Sequence, residues 1–349
     1  MDLIFLLFIP CVLWKMRYCK DGFHGDYLSI KSTQAVRGVM AMLVLFYHLC
    51  QKLQGVKVLF FIDNFGIMCV ATFFFLSGYG LQKNYMEKPN YRQRILAKRI
   101  PAVLVPFLIL NLLYWGYYYL TGDPMTLADI MANQAKGVPL VDYSWYMFVI
   151  LLIYCNYYLS TFLFKPGSWG LVLYHVLSVA AWMLLCEAMG YPFHWYHTVM
   201  AFVMGPVWAM AGEKIKERMQ QHYWRSLGIA LVVFLGFYAA ALKTAGLSEV
   251  ITPLFWASCC AFIPLLLLVL MKFSIGNPIL DFWGKISFEL YGLQGLFIRL
   301  LRSEVCYIEN DFLWCAAVIA ASMAGGWALH CLLQRILAFP KPKKERIAS

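Results

Sequence analysis

Ten apolar runs recur along this 349-residue chain, each long enough or nearly so to cross about 30 Å of hydrocarbon as a helix. They cover roughly 35–53, 64–82, 101–120, 143–164, 169–189, 194–212, 226–242, 250–271, 284–301 and 312–336. Lipid offers the backbone no water to bond, so apolar runs of this length form helices. Composition agrees: 62% of residues are hydrophobic and 13% charged, against about 45–50% and about 25% in soluble domains. The two departures together exclude a soluble globule, a disordered chain and a coiled coil. The expected fold class is all-α, a polytopic membrane helix bundle with ten core transmembrane helices. Prolines at 101, 106, 206, 253 and 264 lie in or near the runs and predict kinks.

The formal charge of +11 reads as topology rather than as a nucleic-acid footprint. Of the 29 Lys and Arg residues, 23 fall in alternate connections: 15–37, 83–99, Lys165, 213–225, 272–285 and the tail from Arg335. The other six are Lys52, Lys57, Lys136, Lys243, Arg299 and Arg302. A bias that alternates through ten spans puts the basic side and the C-terminal tail in the cytoplasm of a multi-pass cell-membrane protein. No basic stretch has the aromatic interleaving of a nucleic-acid reader. Ahead of the runs, Leu3 to Trp14 is apolar but covers only about 18 Å of helix. Asp2 precedes it and Lys15 and Arg17 follow it, with no small-x-small cleavage site, so it reads as a short uncleaved span or, second, a helix lying in the interface. The expected organisation is a short N-terminal membrane segment over 1–16, a transmembrane domain over 34–338 and a basic cytoplasmic tail over 339–349. Eleven cysteines are scattered without a CxxC, and no His pair stands at zinc spacing. They read as packing thiols, with no metal site.

Ionisable residues at membrane depth are costly and so are functional candidates. Arg37 and His48 are eleven residues apart in the first run, three helical turns plus about 20°, and share one helix face about 16 Å apart. They read either as an interfacial anchor with a satisfied bundle histidine, or as a cation and an imidazole serving one site. In the second run, Ser77 and Gly78 read as small packing residues, since nothing local supplies a base for Ser77. The connection before the third run holds Arg92, Arg94, Lys98 and Arg99. It is either a topology signal or a phosphate site for a nucleotide-bearing donor.

These residues resemble a family, the bacterial membrane acyltransferases called acyltransferase family 3. Arg37 and His48, with Gly38 after the arginine, match that family's Arg, ten residues, His. Phe74-Phe75-Leu76-Ser77-Gly78, preceded by Gly66 and Val70, is similar to the close of its second span. Arg94 through Lys98, Arg99 and Pro101, then Pro106-Phe107, resembles its basic approach to the third. Ser144-Trp145-Tyr146-Met147-Phe148 is similar to its Trp-Phe/Tyr opening of the fourth. Ile286-Ser287-Phe288-Glu289-Leu290-Tyr291-Gly292-Leu293-Gln294 resembles a late motif in which many members carry a second histidine where Gln294 stands.

The resemblance implies transfer of an acyl group, usually acetyl, from cytoplasmic acyl-CoA to a hydroxyl of an extracytoplasmic glycan. Acyl-CoA is then a donor substrate, and no cofactor is held permanently. Arg92, Arg94, Lys98 and Arg99 hold its phosphates. Arg37 and His48 are the catalytic pair, His48 acting as acid and base toward hydroxyl and thiolate or carrying the acyl group itself. Ser77, Gly78, Trp145, Ser287, Tyr291 and Gln294 line the site. His24, His222, His194, His197 and His175 read as loop or packing residues, with His330 the spare candidate, and Glu289 reads as an (i, i+4) partner of Lys285. The rival reading is a transporter or flippase for a glycan or small metabolite, which the absence of repeating halves disfavours.

Overall fold

The computed structural model describes residues 6–53, 60–244 and 248–337, with the backbone alone described at 60–64 and 248–252. The basic tail 339–349 and the first five residues lie outside the described residues. The described part of the N-terminal segment gives α1 (Phe8–Leu13), and the remaining helices are α2 (Ile30–Cys50), α3 (Phe60–Glu87), α4 (Tyr91–Leu120), α5 (Leu127–Ala135), α6 (Trp145–Leu163) and α7 (Trp169–Ala188). They continue as α8 (Ala201–Gln221), α9 (Tyr223–Lys243), α10 (Ser248–Lys272), α11 (Pro278–Lys285), α12 (Ser287–Leu300) and α13 (Asp311–Ile336). The chain is an all-α polytopic bundle. Among the described residues one sheet pairs the two-residue strands β1 (Arg17–Tyr18) and β2 (Phe273–Ser274) antiparallel.

Side-chain ties sort the connections onto two faces. On the more basic face, Asn277 Nδ2 donates to the carbonyls of Cys11 and Trp14, both at 2.9 Å. Tyr85 Oη donates to Phe164 O at 3.1 Å, and Tyr223 Oη to Leu268 O at 3.1 Å. On the opposite face, Trp195 Nε1 donates to Gly137 O at 3.0 Å and Trp256 Nε1 to Tyr196 O at 2.9 Å. Asp142 and Arg299 pair there as well.

Eight described helices are long and apolar enough to cross a membrane: α2, α3, α4, α6, α7, α9, α10 and α13. Two of the ten expected spans are built differently. The run 194–212 opens with a 3-10 turn at Phe193–Trp195 and irregular backbone, becoming helical only at Ala201. The far half of α8, beyond the run, carries Glu213, Lys214, Lys216, Glu217 and Arg218. The run 284–301 is broken at Ile286 between α11 and the 14-residue α12. Both still join the two faces. Trp208 of α8 donates Nε1–H to Tyr27 Oη at 3.2 Å near the basic face, opposite the Tyr196–Trp256 tie. The pair α11–α12 runs from Asn277 to Arg299.

Burial places α2 at the centre. Thirteen of its 21 residues are buried, whereas α9 buries only Tyr223, Phe234 and Ala241 and exposes Val232 and Leu235. A helix apolar all round is a core or membrane helix; α2 is the first kind and α9 the second. Ser29 caps α2 by accepting the Ser32 N–H at 3.2 Å, so the helix starts five residues before the apolar run. In consequence Arg37 sits two turns inside α2, and His48 lies in its last turn. A close packing contact joins α3 and α8, where a Cβ on Gly205 would land on the backbone of Gly78 and Tyr79. Only small residues permit that approach.

Candidate active site

Five helices, α2, α3, α4, α6 and α12, line a cavity of about 770 Å³ on the more basic face. Arg37 enters it from α2, Ser77, Lys83 and Lys88 border it from α3 and its end, and Lys98 and Arg99 come from α4. Tyr146 and Tyr154 of α6 and Ser287 and Tyr291 of α12 close its walls. Five cations therefore face it, with Glu87 the one carboxylate among its described lining residues. Glu87 already stands 3.9 Å from Lys83.

Arg37 and Arg99 are the inner pair. Neither forms an ion pair among the described residues, and the Nε of each is buried without a hydrogen-bond partner. They lie in one another's field with the Tyr146 and Tyr154 hydroxyls nearby, and Arg99 stacks over the Tyr154 ring at 5.8 Å. Buried charge is stable only with a compensating partner. Two guanidinium groups without a carboxylate call for an anion, and phosphate suits their donor fork.

The basic cluster of the sequence is split by depth. Helix α4 begins at Tyr91, so Arg92 shares a face with Arg99 but lies two turns, about 10 Å, nearer its start. Lys98 and Arg99 line the cavity. Arg92 and Arg94 are exposed and do not, and Arg92 instead covers the Phe162 ring at 4.8 Å.

Of the other candidates, Ser77 lies beside the Tyr146 hydroxyl, and Ser287 Oγ donates to Gly284 O at 3.0 Å while lining the cavity. Tyr291 lines it too, its ring 5.7 Å from that of Tyr146. Gly78 is turned away toward Phe202 and Pro206 of α8. Trp145 is buried between Phe74 and the far-face rings of His194 and His197. The cavity thus gathers Arg37, Lys98, Arg99, Ser77, Ser287 and Tyr291, and leaves out Arg92, Arg94, Gly78 and Trp145.

His48 is not a lining residue of the cavity. It is 5% exposed, its ring is stacked flat on that of Tyr143, and Gln294 faces it. Gln294 is fixed by donating Nε2–H to Tyr291 O at 3.0 Å. Among the described residues no carboxylate touches the imidazole, and its Nδ1 has no partner. The imidazole is therefore not held in an ion pair among the described residues.

Two residues central to this geometry carried no sequence signal. Tyr143 precedes the Trp145 motif, and its left-handed backbone (φ 63°) is invisible in composition. Tyr154 stands at an ordinary core position of α6. The Arg299–Asp142 pair was more legible, since an arginine at the end of an apolar run needs a counter-charge. Glu289 is paired differently from expectation. The break at Ile286 removes the helix that would align it with Lys285, and it accepts from His330 Nδ1 at 2.8 Å instead.

A family model described as an acyltransferase domain matches residues 30–331. No curated protein and no solved structure matches the chain.

Proposed function

Since the chain belongs to acyltransferase family 3 and is a multi-pass membrane acyltransferase, we propose that it takes its acyl group from cytoplasmic acyl-CoA. The acceptor in this reading is a hydroxyl of an extracytoplasmic glycan, and acetyl is the simplest acyl group. The more basic face is cytoplasmic, following the distribution of Lys and Arg. One observation carries the reading: Arg37 and Arg99 share a cavity on that face with no carboxylate partner among the described residues. The donor's phosphates lie among Arg99, Lys98, Lys83 and Lys88, and Arg37 stands further in.

The long pantetheine arm carries the thioester toward His48. The three turns of α2 between Arg37 and His48, about 16 Å, are within the reach of such an arm. Neutral His48 removes the proton as the acceptor oxygen attacks the thioester carbonyl. The new C–O bond forms, the C–S bond breaks, and the imidazolium returns its proton to the departing thiolate. Gln294 faces the ring and orients it while this happens.

The test is release of free CoA from acetyl-CoA by the purified protein in proteoliposomes, with and without surface glycan, alongside mass spectrometry of glycans from cells with and without the protein. Acceptor-dependent CoA release and a matching 42 Da glycan increment are expected. Glycan that crosses the membrane unmodified would favour transport instead.

A further inference from the structure

His48 is covered on the side from which an acceptor must come. The Tyr143 ring lies against the imidazole with centroids 3.5 Å apart and planes 10° apart. Tyr143 holds this place from a backbone conformation that non-glycine residues rarely adopt, φ 63°. Such a conformation persists only where its surroundings impose it, and three contacts do so. Arg299 Nη2 donates to Asp142 Oδ1 at 2.7 Å, while Arg299 Nε donates to Oδ2, a two-pronged pair. Tyr291 Oη donates to the Tyr143 carbonyl. Gly295 leaves room for the strap, since a Cβ there would sit 2.7 Å from Asp142 Cβ.

Together these contacts fasten the turn before α6 onto α12. The holder Tyr291 is itself a wall of the cavity, so the cover over His48 and the proposed donor site share a residue. The His48 Nδ1 is buried and without a partner beneath that cover.

We propose that Tyr143 is the acceptor-side gate of His48. The ring fixes the imidazole while closed, and a hydroxyl-bearing acceptor reaches the histidine only when the ring swings away. The Asp142–Arg299 pair is the latch that sets how readily this occurs. The identity of what enters rests on the acyl-transfer reading; the cover itself does not, and it can be tested without acyl transfer.

The experiment places His48→Cys in a cysteine-depleted full-length chain and follows its labelling by a membrane-impermeant maleimide applied to the non-basic face. Labelling is expected to be slow with Tyr143 and equally slow with Tyr143→Phe, which keeps the ring. It should be at least tenfold faster with Tyr143→Ala, and several-fold faster with Arg299→Gln, which keeps the ring but opens the latch. Equal rates for Tyr143 and Tyr143→Ala overturn the gate, as does a Tyr143→Phe rate matching Tyr143→Ala. If Tyr143→Ala does not yield monodisperse protein, Arg299→Gln decides, and a rate equal to the parent's overturns the proposal. Because labelling reports access whether or not an acyl group moves, failure here and failure of the acyl-transfer reading are separate results.

Discussion

Arg37 and His48 share one face of α2, yet only Arg37 opens onto the cavity; His48, three turns further along, lies under the Tyr143 ring. The helix therefore divides the work along its length. Its Arg37 level is polar, half-open and cationic. Its last turn is closed and apolar apart from the imidazole and the facing Gln294. A substrate that binds at the first level must extend something narrow to reach the second, which suits a nucleotide carrying its reactive group on a flexible arm.

The split of the basic cluster by depth gives the first prediction. Arg37→Gln and Arg99→Gln should each weaken CoA binding about tenfold to a hundredfold, since a hydrogen bond to a charged group contributes about 1.5–3 kcal/mol. Arg92→Gln and Arg94→Gln should change it less than threefold, because neither lines the cavity. Calorimetry on detergent-solubilised protein checks this, and rising salt should weaken binding at the open mouth. Equal losses at all four positions would contradict the assigned depth.

Much of the bundle was legible because lipid leaves an apolar run few options. Among the described residues, connections that the alternating charges group together lie together, as the Tyr85–Phe164 and Trp195–Gly137 ties show. Boundaries were less legible. Residues 30–34 are polar, yet the Ser29 cap makes them helical and moves Arg37 inward. The irregular stretch before Ala201 was hidden because its backbone groups are served by distant indoles: Trp182 bonds Trp195 O at 3.1 Å and Trp256 bonds Tyr196 O at 2.9 Å. No local pattern encodes a partner 60 residues away. In the site, spacing along one helix brought Arg37 and His48 onto one face. The Tyr143 cover depends on α12 and could not be read from spacing.

Glu289 and His330 give a prediction about stability. Glu289 is 6% exposed and accepts from His330 Nδ1 at 2.8 Å, while Gln334 Nε2 lies 2.9 Å from the other ring nitrogen. His330→Ala leaves a buried carboxyl without its partner, which costs about 1–3 kcal/mol. The protein should melt several degrees lower in detergent, while its surviving folded fraction retains transfer activity because neither residue lines the cavity. Complete loss of activity at unchanged melting temperature would instead place the pair in the reaction.

The α3–α8 crossing gives a third prediction. A Cβ on Gly205 would meet Phe75 O at 2.6 Å as well as the backbone of the next turn, and backbone cannot yield as a side chain does. Gly205→Val should destabilise by at least the roughly 1–3 kcal/mol typical of overpacking. The expected outcome is reduced yield of monodisperse protein by fluorescence-detected size exclusion. Gly116→Val is the control, since open space surrounds Gly116.

The imidazole itself gives the last. His48→Gln keeps approximate size and a hydrogen-bonding end but cannot exchange a proton near neutral pH. Removing a positioned acid–base group typically slows reaction about 10²–10⁴-fold, so His48→Gln should lose transfer by that factor and His48→Ala by as much. CoA affinity should stay within about twofold of the parent, because His48 does not line the donor cavity. Arg37→Gln should show the opposite split, with donor affinity falling first. The two substitutions on one helix face therefore separate binding from chemistry in a single assay series. Proteoliposomes loaded with acetyl-CoA and supplied with acceptor measure both quantities. A His48→Gln protein that transfers acyl groups at near the parent rate would reduce His48 to a packing residue and leave the proton to another group.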